Sequence, residues 1–134
     1  MLLVVGLGAV AVLVAWAIRS RTGTEAPTQG RWAVPAQLDR ADFAAPEASW
    51  LVALFSSTTC LSCAGTWTRV QALASPRVAV QQVDAVADRA LHERYRIEAV
   101  PCVVIADDEG AVRASFLGEP TTAELMQAMG ELDP

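Results

Sequence analysis

The sequence predicts an α/β domain with a mixed central sheet and helices on both faces, preceded by one N-terminal transmembrane helix. Three observations support this prediction. The first eighteen residues carry no charged side chain, apolar runs then alternate with helical patterns, and two adjacent strand patterns come late in the chain. A chain of 134 residues is long enough for one domain with a modest core.

The N-terminal segment reads "MLLVVGLGAVAVLVAWAI", residues 1–18. As a helix it would span about 27 Å, close to the roughly 30 Å hydrocarbon thickness of a bilayer. Arg19 and Arg21 follow at once, and the positive-inside rule places that flank in the cytoplasm. We therefore expect a single-pass protein of the cell membrane, held in the lipid bilayer by residues 1–18, with its soluble domain facing the cytoplasm.

Other interpretations of this segment stay open. A secretory signal peptide would have a basic residue before the apolar run and a small-residue cleavage site after it, and the sequence has neither feature. A buried core helix is a second alternative. The cytoplasmic orientation depends on only two arginines, so the outside face also remains possible.

Composition and charge divide the rest of the chain into a tether and a domain, and they argue against two classes of protein. Residues 19–30 are small and polar, which is typical of a flexible tether, and residues 31–134 form the predicted domain. The net charge of −5 argues against a nucleic-acid partner. Three cysteines are too few for a disulfide scaffold.

In the first half of the domain, the pattern of apolar residues predicts four secondary-structure elements. A continuous apolar run indicates a strand buried on both faces, and helical spacing of apolar residues follows the cysteine pair until Pro76 ends it. In order, the elements are a short helix at 38–43, a strand at 50–57, a helix at 63–75 and a strand at 78–85.

The second half predicts a helix at 87–97, two strands within 101–118 and a helix at 121–132. "DDEG" joins the two strands as a turn, with Gly110 at a position that favours positive φ. Thr121 or Thr122 can cap the last helix, with Glu124 as partner in a capping box. The order βαβαββα implies a parallel pair of strands followed by an antiparallel hairpin.

The spacing Cys60-x-x-Cys63 allows a redox pair, a structural disulfide, inert thiols or part of a metal site. Zinc and iron–sulfur clusters usually take four ligands, and the further candidates here are Cys102 and His92. His92 lies in the middle of a predicted helix, beside Arg94, and we expect it to face solvent. No metal and no cofactor is therefore predicted.

In this order the motifs resemble the thioredoxin family over about residues 31–132. The matching segments are "VALFSSTTCLSC", "VQQVDA", "YRIEAVPCVVI" and "DEGAVRASFLGEPTTAEL". The resemblance implies a thioredoxin-like fold, a cis Val100–Pro101 bond and a thiol–disulfide oxidoreductase acting on protein thiols or disulfides. We also expect a monomer.

The resemblance places Cys60 at a helix start, where the helix dipole and free N–H groups lower the pKa of a thiol. Cys60 is then the nucleophile and Cys63 the thiol that resolves the mixed disulfide. Pro101 lines the substrate groove, and the backbone of Val100 pairs with the substrate chain. Cys102 is either a buried strand residue or a third redox thiol close to the groove.

Several positions depart from the family pattern. Thr59 replaces the usual tryptophan, and Leu61-Ser62 replaces Gly-Pro without adding charge, so a strong oxidant is not expected. Leu54 and Val80 stand where thioredoxin has a buried acid and its lysine partner. Proton transfer would then rely on water or Asp84. These departures favour a dedicated protein partner, and they leave a non-catalytic adaptor with a peptide groove as the alternative.

Overall fold

The computed structural model describes residues 32–133. The predicted transmembrane segment, residues 1–18, and the tether, residues 19–30, lie outside this part. Within residues 32–133, no helix combines the length and the apolar character needed to cross a bilayer.

The described elements follow the predicted order. They are a 3-10 helix at Arg40–Asp42, β1 at Trp50–Ser56, α1 at Cys63–Gln71, β2 at Val78–Asp84, α2 at Arg89–Arg94, β3 at Cys102–Ala106, β4 at Val112–Leu117 and α3 at Thr122–Leu132. Together the strands form one sheet in the order β2-β1-β3-β4. β1 pairs with β2 in parallel, whereas β3 is antiparallel to both β1 and β4. The mixed sheet is therefore confirmed.

Two hydrophobic cores lie on opposite faces of the sheet, because side chains alternate along β1 and β3. The α1/α3 core contains Val52, Leu54, Val103 and Ile105 from the strands, packed against α1 and α3. The α2 core contains the alternate strand residues and is covered by α2 and by Val34, Leu38 and Phe43, which precede β1. Helices thus cover both faces, and every residue of the two middle strands except Trp50 is buried, as the apolar run in β1 predicted.

A buried arginine fixes the segment that leads into β1. The guanidinium of Arg40 donates hydrogen bonds to the carbonyls of Ala48 at 3.0 Å, Asp107 at 2.9 Å and Ala45 at 3.1 Å. Leu38 and Phe43 on either side of it are buried in the α2 core. The short helix predicted at 38–43 is the 3-10 turn at the centre of this segment.

Glycine is required at the turn between β3 and β4. Gly110 has φ +82°, a conformation that other residues rarely adopt. Its carbonyl accepts a hydrogen bond from the Leu38 N–H at 2.8 Å, and a Cβ at this position would collide with the Leu38 carbonyl. The positive φ predicted for Gly110 is confirmed.

One end of each of the last two helices has a local explanation. Thr121 and Glu124 form the predicted capping box at the start of α3. α2 is shorter than predicted, because Arg96 adopts the left-handed conformation with φ 52°. The Ile97 N–H then bonds to the His92 carbonyl and the Arg96 N–H to the Glu93 carbonyl, which together make a Schellman motif.

The predicted solvent-facing position of His92 is wrong. Its side chain is buried, and one ring nitrogen lies 2.9 Å from the Val83 carbonyl at the end of β2. The ring also packs edge-on against Phe55, with centroids 5.4 Å apart. The helical position next to Arg94 did not indicate this burial, because it depends on how α2 lies against the sheet.

Candidate active site

The cysteine pair and the proline meet at one edge of the sheet. The loop that carries Cys60 leaves the carboxyl end of β1, whose residue Phe55 pairs with Cys102 at the start of β3. Pro101 directly precedes Cys102, so it lies beside the cysteine loop. The Val100–Pro101 bond is cis, as the resemblance implied. The end of β4 joins the same edge, where the Gly118 N–H donates to the Pro101 carbonyl at 3.0 Å.

Cys60 and Cys63 are joined by a disulfide bond, with their Cα atoms 5.4 Å apart. The helix begins at Cys63, so Cys60 lies in the turn that leads into α1. Cys63 is only 2% exposed, whereas Cys60 is half-buried. Of the two bonded sulfurs, Cys60 is therefore the one in the more accessible residue, and it remains next to the helix N-terminus through its bond to Cys63.

The residue between Cys60 and the helix contacts the reactive sulfur. Ser62 is the N-cap of α1, but its side chain makes no capping hydrogen bond. Its hydroxyl oxygen instead lies 3.5 Å from the Cys60 sulfur. The sequence alone does not predict this contact; the only signal for Ser62 is that serine is common at N-caps.

Leu54 and Val80, which stand where thioredoxin has a buried acid and its lysine partner, both pack into the α1/α3 core. Leu54 is fully buried, and Val80 packs beside it in the α1/α3 core. The polar groups on this side of the sheet are instead Ser56 and Gln82, whose side chains are hydrogen-bonded at 3.0 Å. Ser56 is fully buried at the end of β1. Neither group is a carboxylate, so this pair does not replace a buried acid as a proton acceptor.

Asp84, which the sequence offered as a substitute base, is already engaged. Its carboxylate accepts hydrogen bonds from the N–H groups of Ala87 at 3.0 Å and Val86 at 2.9 Å. These bonds hold the pKa of Asp84 below its ordinary value. A carboxylate that is hydrogen-bonded in this way is a weaker base, so the structure does not favour Asp84 as the proton acceptor.

Cys102 is a free thiol with 1% exposure, and it packs in the α2 core. Desolvation by burial raises the pKa of this thiol to about 11. α1 covers the opposite face of the sheet. Burial and a raised pKa favour the packing role of Cys102 over the role of a third redox thiol, which stays a prediction without support from this geometry.

The further candidates for metal ligation make other contacts. His92 is hydrogen-bonded to the Val83 carbonyl, and Cys102 is buried among apolar side chains. Cys60 and Cys63 are bonded to each other. The arrangement therefore fits thiol–disulfide chemistry better than metal binding.

One feature of the site could not be read from the sequence. Leu61, between the two cysteines, is fully exposed, and Val86 is 77% exposed after β2. Both lie at the carboxyl edge of the parallel strands, since the Ala85 N–H donates to the Ser56 carbonyl at 2.9 Å. Exposed apolar side chains beside a reactive disulfide are candidates for contact with a partner.

Of the comparisons with known proteins, only the comparison with solved structures gives matches, and these support the fold. No protein-family model matches the chain, and no curated protein matches it. Among solved structures, a thioredoxin mutant of Halobacterium salinarum is 21% identical, with a TM-score of 0.59, covering 81% of this chain and 95% of that one. The thioredoxin Deadhead of Drosophila melanogaster is 25% identical, with a TM-score of 0.58, covering 75% and 98%.

A third structure, the thioredoxin of Fasciola hepatica, is 24% identical, with a TM-score of 0.54, covering 63% of this chain and 81% of that one. The thioredoxin neighbours and the Cys60–Cys63 disulfide together support a thiol–disulfide oxidoreductase. The chain thus has a thioredoxin-like fold, with a Cys-x-x-Cys disulfide at the start of α1.

Proposed function

We propose that this protein is a membrane-tethered thiol–disulfide oxidoreductase that acts on a specific protein partner through Cys60 and Cys63. The observation that carries the proposal is the disulfide between a half-buried Cys60 and a buried Cys63 at the start of α1. An accessible sulfur linked to a protected one suits sequential exchange, because a substrate can reach only the first.

In the reducing direction, the Cys60 thiolate attacks one sulfur of a substrate disulfide. A bond forms between Cys60 and that sulfur, the substrate disulfide breaks, and the leaving thiolate takes a proton from water. Deprotonated Cys63 then attacks the Cys60 sulfur, which forms the Cys60–Cys63 disulfide and releases the second substrate thiolate. Two electrons pass to the substrate, and an external dithiol must reduce the pair again.

A specific partner is supported by the exposed apolar side chains at the site. Leu61 stands between the two cysteines, and Val86 lies on the neighbouring loop. A partner that presents an apolar side chain next to its reactive cysteine would cover both residues. Burial of that apolar surface would favour this partner over a general disulfide.

The test is insulin reduction in the presence of dithiothreitol, followed by turbidity. Wild-type protein should accelerate precipitation, and Cys60→Ser should abolish the acceleration. Cys102→Val is the matched control, because it removes a thiol that lies outside the exchange pair. Unchanged activity in Cys60→Ser would reject the assignment.

Membrane attachment is proposed from residues 1–18, and cytoplasmic orientation from Arg19 and Arg21. Full-length protein should remain with membranes after carbonate washing and dissolve in detergent. A reporter fused at the C-terminus, active only on one side of the membrane, reports the orientation. Activity on the outer side would overturn the cytoplasmic placement.

The alternative is a non-catalytic adaptor that presents a peptide groove beside Val100 and Pro101. The apolar pair Leu54 and Val80 favours it, because neither residue can accept a proton from Cys63. Alkylation of reduced protein against pH separates the two functions. A Cys60 pKa near that of a free thiol, about 8.5, supports the adaptor, and a clearly lower value supports the oxidoreductase.

A further inference from the structure

We propose that the Ser62 hydroxyl is a catalytic group of this site: it donates a hydrogen bond to the Cys60 sulfur and stabilises its thiolate. The inference rests on the proposed function, because it adds a residue to the same exchange reaction. The Ser62 hydroxyl would be a neutral hydrogen-bond donor in the dipeptide Leu61-Ser62, which carries no charge.

The direction of the hydrogen bond follows from the state of the sulfur. The Ser62 oxygen lies 3.5 Å from the Cys60 sulfur, and that sulfur is part of a disulfide, so it has no proton to donate. The hydroxyl must therefore be the donor. After reduction, the same sulfur becomes a thiolate, which is a much stronger acceptor for the same hydroxyl.

The helix start fixes the backbone of Ser62. Its carbonyl accepts hydrogen bonds from the Thr66 N–H at 3.1 Å and from the Thr66 hydroxyl at 2.9 Å. Thr66 is fully buried. Since the Ser62 side chain makes no capping bond, its hydroxyl remains free to serve the sulfur. Thr66 is thus a positioning residue for Ser62.

Charged groups around the edge do not supply a competing donor. The chain from Ser57 to Thr68 has no charged side chain, and within residues 32–133 Ser62 is the one residue whose side chain is hydrogen-bonded to the Cys60 sulfur. Other ionisable groups lie on the elements that end or begin near this edge. They include Asp84, Asp88, Glu98, Glu119, Arg69 and Arg96, together with the buried His92 and Cys102 beside Phe55.

These charges act in opposite directions on the thiolate. The carboxylates disfavour a negative sulfur, and the guanidinium groups favour it. Arg69 reaches back along α1 and donates to the Pro120 carbonyl at 3.4 Å. No ion pair or hydrogen bond joins it to the sulfur within the described part of the chain, so direct stabilisation falls to the Ser62 hydroxyl.

The Ser62 hydroxyl would act in the first step of thiol–disulfide exchange. When the Cys60 thiolate attacks a substrate disulfide, its charge moves to the leaving substrate sulfur, and no proton leaves Ser62. The hydroxyl raises the thiolate fraction at neutral pH. A hydrogen bond to a charged group corresponds to a pKa change of about one to two units.

The experiment measures the pKa of Cys60 in reduced, full-length protein in detergent. Iodoacetamide alkylation is followed against pH, and mass spectrometry separates Cys60 from the other thiols. Ser62→Ala should raise the apparent pKa of Cys60 by about one to two units. Ser62→Thr, which keeps a hydroxyl, should restore most of the wild-type value.

Thr59→Ala is the matched control, because the Thr59 hydroxyl bonds to Ser57 at 3.0 Å and not to the sulfur. It should leave the Cys60 pKa unchanged. An unchanged pKa in Ser62→Ala, or an equal rise in Thr59→Ala, would overturn the inference. If wild-type protein reduces no insulin, the proposed function fails; if it does and Ser62→Ala keeps the wild-type pKa, only the role of Ser62 fails.

Discussion

Cys102 should behave as an inert thiol in the native protein. Burial raises its pKa from 9.0 to about 11, and its side chain is 1% exposed in the α2 core. Each pKa unit changes the thiolate fraction tenfold at neutral pH, so the native state holds about 100-fold less Cys102 thiolate than an exposed thiol would. Limited access lowers the rate further.

The assay is titration of reduced protein with Ellman's reagent at pH 7. Two thiols should be consumed in the native state, because the reagent reacts with Cys60 and Cys63 then displaces it from the mixed disulfide. The third should react only when guanidinium unfolds the chain. Cys102→Val should retain the two native thiols and lose the third. Three thiols that react at similar rates in native protein would refute the burial argument and revive the third redox thiol.

Three further predictions concern stability and recognition. Leu125→Ala should lower the free energy of unfolding by about 2–5 kcal/mol in urea denaturation, because Leu125 is fully buried in the α1/α3 core. Leu61→Ser should change that free energy by less than about 0.5 kcal/mol, since Leu61 is fully exposed, but should lower kcat/KM for a partner with an apolar side chain beside its cysteine. Equal losses of stability in Leu125→Ala and Leu61→Ser would contradict the contrast between a buried and an exposed leucine. Alkaline pH should destabilise the fold: Cys102 binds its proton more tightly when folded, so its contribution is complete below the unfolded pKa of about 9.0 and is lost as pH rises towards about 11. Cys102→Val should show a flatter pH dependence over that range.

The sequence predicted the sheet well because its signals are local. The continuous apolar run of β1, the turn glycine Gly110 and the capping pair Thr121–Glu124 each reflect interactions among near neighbours. The boundaries of helices were less predictable. α1 ends at Gln71, five residues before Pro76, and α2 ends early because Arg96, a residue other than glycine, adopts positive φ.

The site was predictable in position but not in detail. The cysteine spacing and the Val100–Pro101 motif identified the residues that meet at the sheet edge. The burial of His92 depends on the packing of α2 against Phe55, which no local pattern records. The contact between Ser62 and the Cys60 sulfur also requires the three-dimensional turn, because serine at a helix start usually caps the helix.

The central claim is that Cys60 attacks and Cys63 resolves. The most direct measurement is capture of a mixed disulfide by single-cysteine variants of the pair, read by mass spectrometry after incubation with a disulfide peptide. Cys63→Ser should accumulate a stable adduct on Cys60, because no second thiol releases the peptide. Cys60→Ser should form little adduct, since Cys63 is 2% exposed. Preferential capture by Cys63 would contradict the account.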